Sequence, residues 1–367
     1  MINSYWHFWG YPAIKFKITI KIIIILLVLT VLAACTQAPD RSVVTAEGAA
    51  NIGMILGPGG TGDRGFNDAA LSGLLRAELE YGITFELSIP AVGDDIYAIL
   101  RPKAESGELD LIIVMGAGVS AEALVEIAPL FPDQRFSHVD SELNLTNVSA
   151  IQTNWVEQTF LAGVMAGLGT LSDMPLANDY NKIGIIVGMD TFPMRQGILG
   201  FEAGARLVNP DVTVLVEVIG SFSDVYLAYE IALDMYNQGA DFIQSIGGAA
   251  GLGIHEAARA TGRYSLASGA NTNFIEPDHI VGTALRDVAG IVFNEICSFL
   301  SGTWQAGLHI SGIAEGAVGY DTFQSNVVAP DNIIQAIQQL YNQIASGELV
   351  LPSSADELGE WLERNAW

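Results

Sequence analysis

The chain has 367 residues, 50% of them hydrophobic and 16% charged, and its 41 acidic and 16 basic side chains give a formal net charge of −25. That apolar share excludes a disordered chain, the length suits about two to three domains, and the negative charge argues against a broad nucleic-acid-binding face, since phosphates are repelled. Two cysteines are too few for a disulfide framework or a four-thiolate zinc site, and His7, His138, His255, His279 and His309 show no HExxH spacing, so neither a metal nor a cofactor is expected.

The chain opens with Lys15, Lys17 and Lys21 and no acidic residue before position 35, followed by an apolar run over 22–34 in which Thr30 is the one polar residue. As a helix that run spans about 20 Å, short of a bilayer core of about 30 Å. It reads as the apolar region of a secretory signal, removed with residues 1–34. The run closes on Leu32-Ala33-Ala34-Cys35, which resembles the cleavage box of bacterial lipoproteins. That resemblance implies lipidation of Cys35, and several acyl chains anchor stably. The alternatives are an ordinary signal peptide with a chance cysteine, or an uncleaved anchor. Residues 35–50, small and polar, read as a flexible tether. The mature chain is then held on the cell membrane, facing the periplasm or the cell exterior.

From residue 51 the chain alternates short apolar runs, Gly-rich turns and amphipathic stretches. Strands are predicted at 52–56, 83–89, 109–115, 135–139, 148–153, 182–187, 212–219, 242–246, 264–268 and 280–285. Helices are predicted at 67–81, 96–105, 120–130, 155–171, 193–208, 225–238, 252–260, 287–301 and 331–346. Several strands are apolar throughout, as when helices cover both faces of a sheet. Alternating β and α elements imply parallel sheets with right-handed crossovers. NIGMIL at 51–56 and KIGIIV at 182–187 open similar βαβα series, which favours two doubly wound lobes over one large sheet. Facing lobes place their strand C-termini at a shared cleft, where such sheets bind ligands.

The motifs along this body are similar to those of the basic-membrane-protein (BMP) family of lipoproteins, substrate-binding components of ABC importers whose characterised members bind purine nucleosides. The family's opening loop, D-x-G-G-x-x-D-[KR]-[SG]-F-N, corresponds to Gly57-Pro58-Gly59-Gly60-Thr61-Gly62-Asp63-Arg64-Gly65-Phe66-Asn67. Further matches follow in family order: Phe131-Pro132-Asp133, Asp140-Ser141, Phe160-Leu161-Ala162-Gly163, Gly200-Phe201-Glu202-Ala203-Gly204, Gly220-Ser221-Phe222 and Gly251-Leu252-Gly253. The resemblance implies the type I periplasmic-binding-protein fold, in which the chain crosses between lobes three times around a hinge. On that fold, 51–153 plus 276–308 are expected in the N-terminal lobe and 154–275 plus 309–367 in the C-terminal lobe. The implied partners are a small nucleoside-like ligand, an ABC permease with its ATPase, and the membrane through the lipid anchor.

The same resemblance supplies candidate ligand-binding residues. Phe66 matches an aromatic that stacks on the nucleobase, and Asp140 an acid that hydrogen-bonds the base edge. Asp63 and Asn67 flank Phe66 and either contact ligand or cap the following helix. Gly248 and Gly251 match a Gly-rich turn near the sugar, or simply form a tight βα turn. Trp155 offers a second aromatic wall or hinge packing. Departures are also visible. The first acid of the opening loop is Gly57; the acids of a ribose-gripping segment are Gly269 and Asn271; a ribose-binding lysine is Arg286; and Gln244 stands where an aromatic is frequent. Losing such an acceptor weakens nucleoside binding by about 1–3 kcal/mol, so the receptor class transfers better than the ligand does. Arg286 could meet a carboxylate or phosphate instead.

A nicotinamide-dependent oxidoreductase is the rival from another class, because Gly57 to Gly62 formally satisfies GxGxxG and Glu86 sits where a ribose acid would. Pro58 in the tight turn and Asp63 beside a pyrophosphate argue against it. No GxSxG or P-loop occurs, so no catalytic residue is expected. A tethered sensor on the same fold, uncoupled from import, stays open as an alternative.

Overall fold

The computed structural model describes residues 49–57, 60–62, 65–91, 93–116 and 118–367. The leader at 1–34, Cys35, the tether except its last two residues, and Asp63 lie outside the described residues.

Two six-stranded sheets carry the body. The first contains β1 (Asn51–Ile55), β2 (Thr84–Ser88), β3 (Leu111–Met115), β4 (Arg135–Val139), β5 (Val148–Thr153) and β11 (Gly307–Ser311), in the order β2-β1-β3-β4-β5-β11. The second contains β6 (Lys182–Val187), β7 (Thr213–Val218), β8 (Ala240–Ile246), β9 (Tyr264–Gly269), β10 (Ile280–Arg286) and β12 (Val318–Asp321), in the order β7-β6-β8-β9-β10-β12. Every neighbouring pair is parallel except β10 with β12, which is antiparallel. Central strands such as β3 are buried at every residue, as their unbroken apolar sequence requires. These are the two parallel-sheet lobes expected from the alternating pattern.

Helices α1 (Phe66–Tyr81), α2 (Ile96–Ser106) and α3 (Val119–Ile127) follow the strands of the first lobe. The helix expected over 120–130 passes into a 3₁₀ turn at Ala128–Leu130, since Pro129 has no N–H to continue the α pattern. The second lobe carries α4 (Trp155–Gly169), α5 (Phe192–Val208), α6 (Val225–Asn237) and α7 (Gly251–Thr261). The chain then adds α8 (Val288–Leu300), α9 (Asp331–Ala345) and a short α10 (Leu358–Arg364). Helix α4 is buried on almost all sides, so its sequence is apolar all round rather than amphipathic. It lies against α5 at backbone distance. A Cβ on Gly163 would sit 2.1 Å from the Phe201 carbonyl oxygen, and one on Gly204 would sit 2.0 Å from that of Phe160. The Gly-x-x-x-Gly spacings 163/167 and 200/204 thus serve mutual approach. Among the described residues, no helix is long and apolar enough to cross a membrane.

The chain passes between the sheets after β5, after β10 and after β11. One expected boundary is corrected. Residues from 276 were placed in the N-terminal lobe, yet β10 pairs with β9, so the chain returns only after Arg286, with α8 packing on α1 and β11 joining β5. β10 has the same apolar character as any other buried strand, and its sheet depends on which edge is free. Strands β11 and β12 were not expected at all. β11 is an edge strand of alternating exposure, and β12 has four residues, so neither makes an apolar run.

The crossings are bonded to one another. The Asn154 amide donates to the Ser311 carbonyl (2.9 Å) and the Asp287 amide to that of Ala317 (2.8 Å). Glu157, one turn into α4, accepts from Asn154 Nδ2 and from the Ile313 amide, each at 2.7 Å. Burial raises the pKa of this carboxyl above its ordinary value.

Candidate functional site

The first lobe builds its side of the cleft from the C-terminal ends of β1, β3 and β4. After β1, the Gly57 amide donates to Asn67 Oδ1 at 2.8 Å, which ties the loop to the first turn of α1 and sets Phe66 at its start. Asn67 is buried here as a loop fastener. After β3, Gly116 takes a positive φ of 85°, and a Cβ there would lie 3.9 Å from the edge of the Phe66 ring. His138, buried in β4, fastens this end from below. Its Nε2 donates to the Gly116 carbonyl (2.7 Å), which leaves Nδ1 to accept from Ser141 Oγ (2.8 Å). Burial lowers the His138 pKa, which keeps the ring neutral for this role. Asp140 follows β4 in the left-handed region (φ 66°), a conformation Asp tolerates better than most residues. Its amide and that of Ser141 both donate to the Ile151 carbonyl, so the strand turns and the carboxylate is free to reach across.

What it reaches is Arg286, the last residue of β10 in the second lobe. Arg286 Nη2 donates to Asp140 Oδ1, a bond between lobes that joins residues 146 apart in the chain. The guanidinium carbon lies 5.2 Å from the centroid of the Phe66 ring and 5.1 Å from that of Trp155. Trp155 opens α4 just after the Asn154 cap, at the first crossing. Phe66, Asp140, Trp155 and Arg286 therefore meet around one cation–π and ion-pair centre, with the Arg286 side chain 9% exposed. Arg286 Nε is buried with no hydrogen-bond partner.

The other candidates have their described contacts elsewhere. Gln244 is fully buried in β8, with Nε2 donating to the Ser245 and Ala267 carbonyls and Oε1 without a partner. Asn271 spends its amide on Asp321 Oδ2 (2.7 Å) and the Phe323 carbonyl, and its oxygen on the Asn273 amide, so it brackets the loop between β9 and β10. Gly248 takes a positive φ of 58° beneath Phe222, and Gly251 starts α7 where a Cβ would collide with Ser245 Oγ at 2.6 Å. Glu86, the acid of the oxidoreductase reading, is paired with Lys103.

Two residues with site-like placement escaped the sequence reading. Phe222, after β7, lies on Gly188 at the end of β6, so close that a Cβ there would fall 2.2 Å from its ring, and it is 43% exposed. Gln158, one turn into α4, bonds Ser268 Oγ and the Ala284 carbonyl and keeps a buried Oε1 without a partner. A glutamine inside so apolar a helix was the available signal.

The family model that matches residues 50–355 is described as Bmp, ABC transporter substrate-binding protein PnrA-like. The chain belongs to this Bmp family. Among its Bmp-like relatives, an uncharacterized lipoprotein of Pyrococcus horikoshii is 26% identical over 94% of both chains. Basic membrane protein A of Borreliella burgdorferi is 26% identical, over 82% of this chain and 87% of its own. A solute-binding protein of an ABC transporter system from Aeropyrum pernix has the same fold, with a TM-score of 0.69 and 23% identity over 86% of this chain and 98% of that one. Membership gives the Bmp chain a solute-binding role, and the cleft-side ends of its sheets are where such a role has room to act.

Proposed function

We propose that the chain is a lipid-anchored, extracytoplasmic receptor that binds a small planar solute between its lobes and presents it to an ABC permease and its ATPase, without catalysis. The observation that carries this reading is the meeting of Phe66 and Asp140 from one lobe with Trp155 and Arg286 from the other. Aromatic faces suit a flat heterocycle, at about 1–3 kcal/mol per stacked ring, and Asp140 offers an acceptor for N–H groups on its edge. The family resemblance adds the Gly248–Gly251 turn, Gln244, Asn271, Asn67 and Asp63 as secondary contacts of this reading. Ligand favours closure only through tighter binding to the closed form, and the closed pair of lobes is the surface a permease would read. Lipidation at Cys35 supplies the anchor, and Cys35→Ser is expected to release the chain from the membrane fraction.

The test is a thermal-shift screen of the full-length chain against nucleosides, bases, sugars and small anions. A solute at 100 times its dissociation constant adds about 2.7 kcal/mol of stability. Phe66→Ala is expected to weaken an aromatic hit by tenfold or so. An unchanged affinity removes Phe66 from the site.

A further inference from the structure

We infer that the solute taken by this cleft carries an oxyanion, a carboxylate or a phosphate, that docks on the unpartnered Nε–H of Arg286. The inference rests on the solute-receptor reading above and narrows its ligand class.

A guanidinium is a planar fork of five N–H donors with no acceptor. Among the described residues, the one hydrogen bond that Arg286 makes is from Nη2 to Asp140. Its two ring neighbours, Phe66 and Trp155, answer its charge without accepting a bond in its plane. The Nε–H therefore stays unsatisfied in a side chain that is nine-tenths buried. A buried donor of a charged group left without a partner is costly, and native proteins keep few of them outside functional positions.

The shape of the vacancy selects the partner. Nε–H lies parallel to one of the two N–H groups of Nη2, and two oxygens of one carboxylate or phosphate meet both at once. A hydroxyl or a carbonyl is a single acceptor and leaves one donor unmet. Asp140 contacts Arg286 at Nη2 alone, so a bidentate oxyanion on Nε–H shares Nη2 with Asp140, each taking one of its two N–H groups. The neighbouring strand ends without a side chain. Gly269 ends β9 opposite Leu285, takes a φ of 91°, and has nothing within 4 Å of where a side chain would begin. A guanidinium can serve two oxyanions on separate edges, so Asp140 need not leave when ligand arrives.

The experiment is titration calorimetry of the full-length chain with two matched pairs, each holding its ring constant. Inosine against inosine 5′-monophosphate tests phosphate, and nicotinamide against nicotinate tests carboxylate. In at least one pair the anion is expected to bind roughly tenfold or more tighter than its neutral counterpart. That preference should shrink with added salt and fall below about threefold in Arg286→Gln. The pair that shows it identifies the oxyanion. Equal binding within both pairs, or a preference that survives Arg286→Gln, overturns the inference while the bound solute keeps the receptor reading intact. If none of the four probes and none of the wider screen binds, both readings fall together. Should Arg286→Gln not fold, the wild-type comparison within each pair decides alone.

Discussion

The two lobes share one topology and present different chemistry. Their strand orders superimpose position for position, β2-β1-β3-β4-β5-β11 against β7-β6-β8-β9-β10-β12. At the strand ends, however, the first lobe offers side chains, Phe66 and Asp140, held from below by His138 and Ser141. The second lobe brings Trp155 and Arg286, and its strand ends are rich in glycine, at Gly188, Gly248, Gly251 and Gly269. Their interiors differ too. The second lobe is organised around α4 and α5, packed backbone to backbone through paired glycines, whereas in the first lobe the α1–α8 contact combines one close approach, at Gly73, whose Cβ would lie 2.3 Å from the Ala289 carbonyl, with side-chain packing of Arg76 and Tyr81 on Phe293. A fold can thus be duplicated while recognition is divided, one half bringing an acid and an aromatic ring, the other a cation and a second ring on a more rigid frame.

The largest effect is expected where that rigidity is tightest. Gly204→Ala drives a methyl into the backbone of α4, with no flexible side chain to yield. It should cost about 3 kcal/mol or more in urea unfolding, and hydrogen exchange should rise first in the second lobe. Protection lost equally in both lobes would show that they do not differ in this way.

Next comes acid, which probes two groups buried in the second lobe. Asp241 accepts from Thr170 Oγ1 and the Asn178 amide, and burial raises its pKa from 3.8 to about 6. His255, bonded to Ser265 Oγ, is lowered by burial from 6.5 to about 4. The signs oppose. The folded state holds the Asp241 proton more tightly, so that group adds stability as pH falls from about 6 to 4; His255 must take up a proton it resists when folded, so it removes stability as pH falls from about 6.5 to 4. In the wild-type chain the two nearly cancel. Asp241→Asn leaves His255 unopposed, and denaturant melts from pH 6.5 to 4 should lose about 3 kcal/mol more than wild type. Parallel curves would contradict the assignment.

The link between the lobes ranks third. Asp140→Asn removes the carboxylate opposite Arg286 and should cost about 1–3 kcal/mol, discounted because Asp140 is a quarter exposed. Small-angle scattering of the ligand-free protein should then report a more open form; an unchanged profile would mean that this pair does not hold the lobes. The smallest change is Phe222→Ala. Its ring is 43% exposed, so melting should shift by about 1 kcal/mol or less. A loss of solute affinity beyond threefold would give the second lobe an aromatic contact besides Trp155 and weaken the contrast drawn above.

Much of the site was legible residue by residue. Phe66, Asp140, Trp155 and Arg286 each follow or start a predicted element at the end where α/β sheets bind ligands. Their convergence was not legible, because β4 and β10 belong to different sheets and no local pattern records which loop faces which. Asn271 and Gln244 have the side chains of ligand contacts, yet their amide N–H groups bond within the second lobe, a choice set by the nearby carbonyls of Phe323 and Ala267. Strands β11 and β12 escaped because edge strands need no continuous apolar run.

What the amino-acid order settled alone is the alternation of buried strands and covering helices, and the glycines that let α4 and α5 touch. Those features follow from burial and steric size, which act over a few residues. What only the tertiary structure decided is that Arg286 stands between two rings, answers to Asp140, and leaves its Nε–H without a partner. An ion pair depends on separation in space, and here that separation is closed by three chain crossings rather than by anything written near either residue.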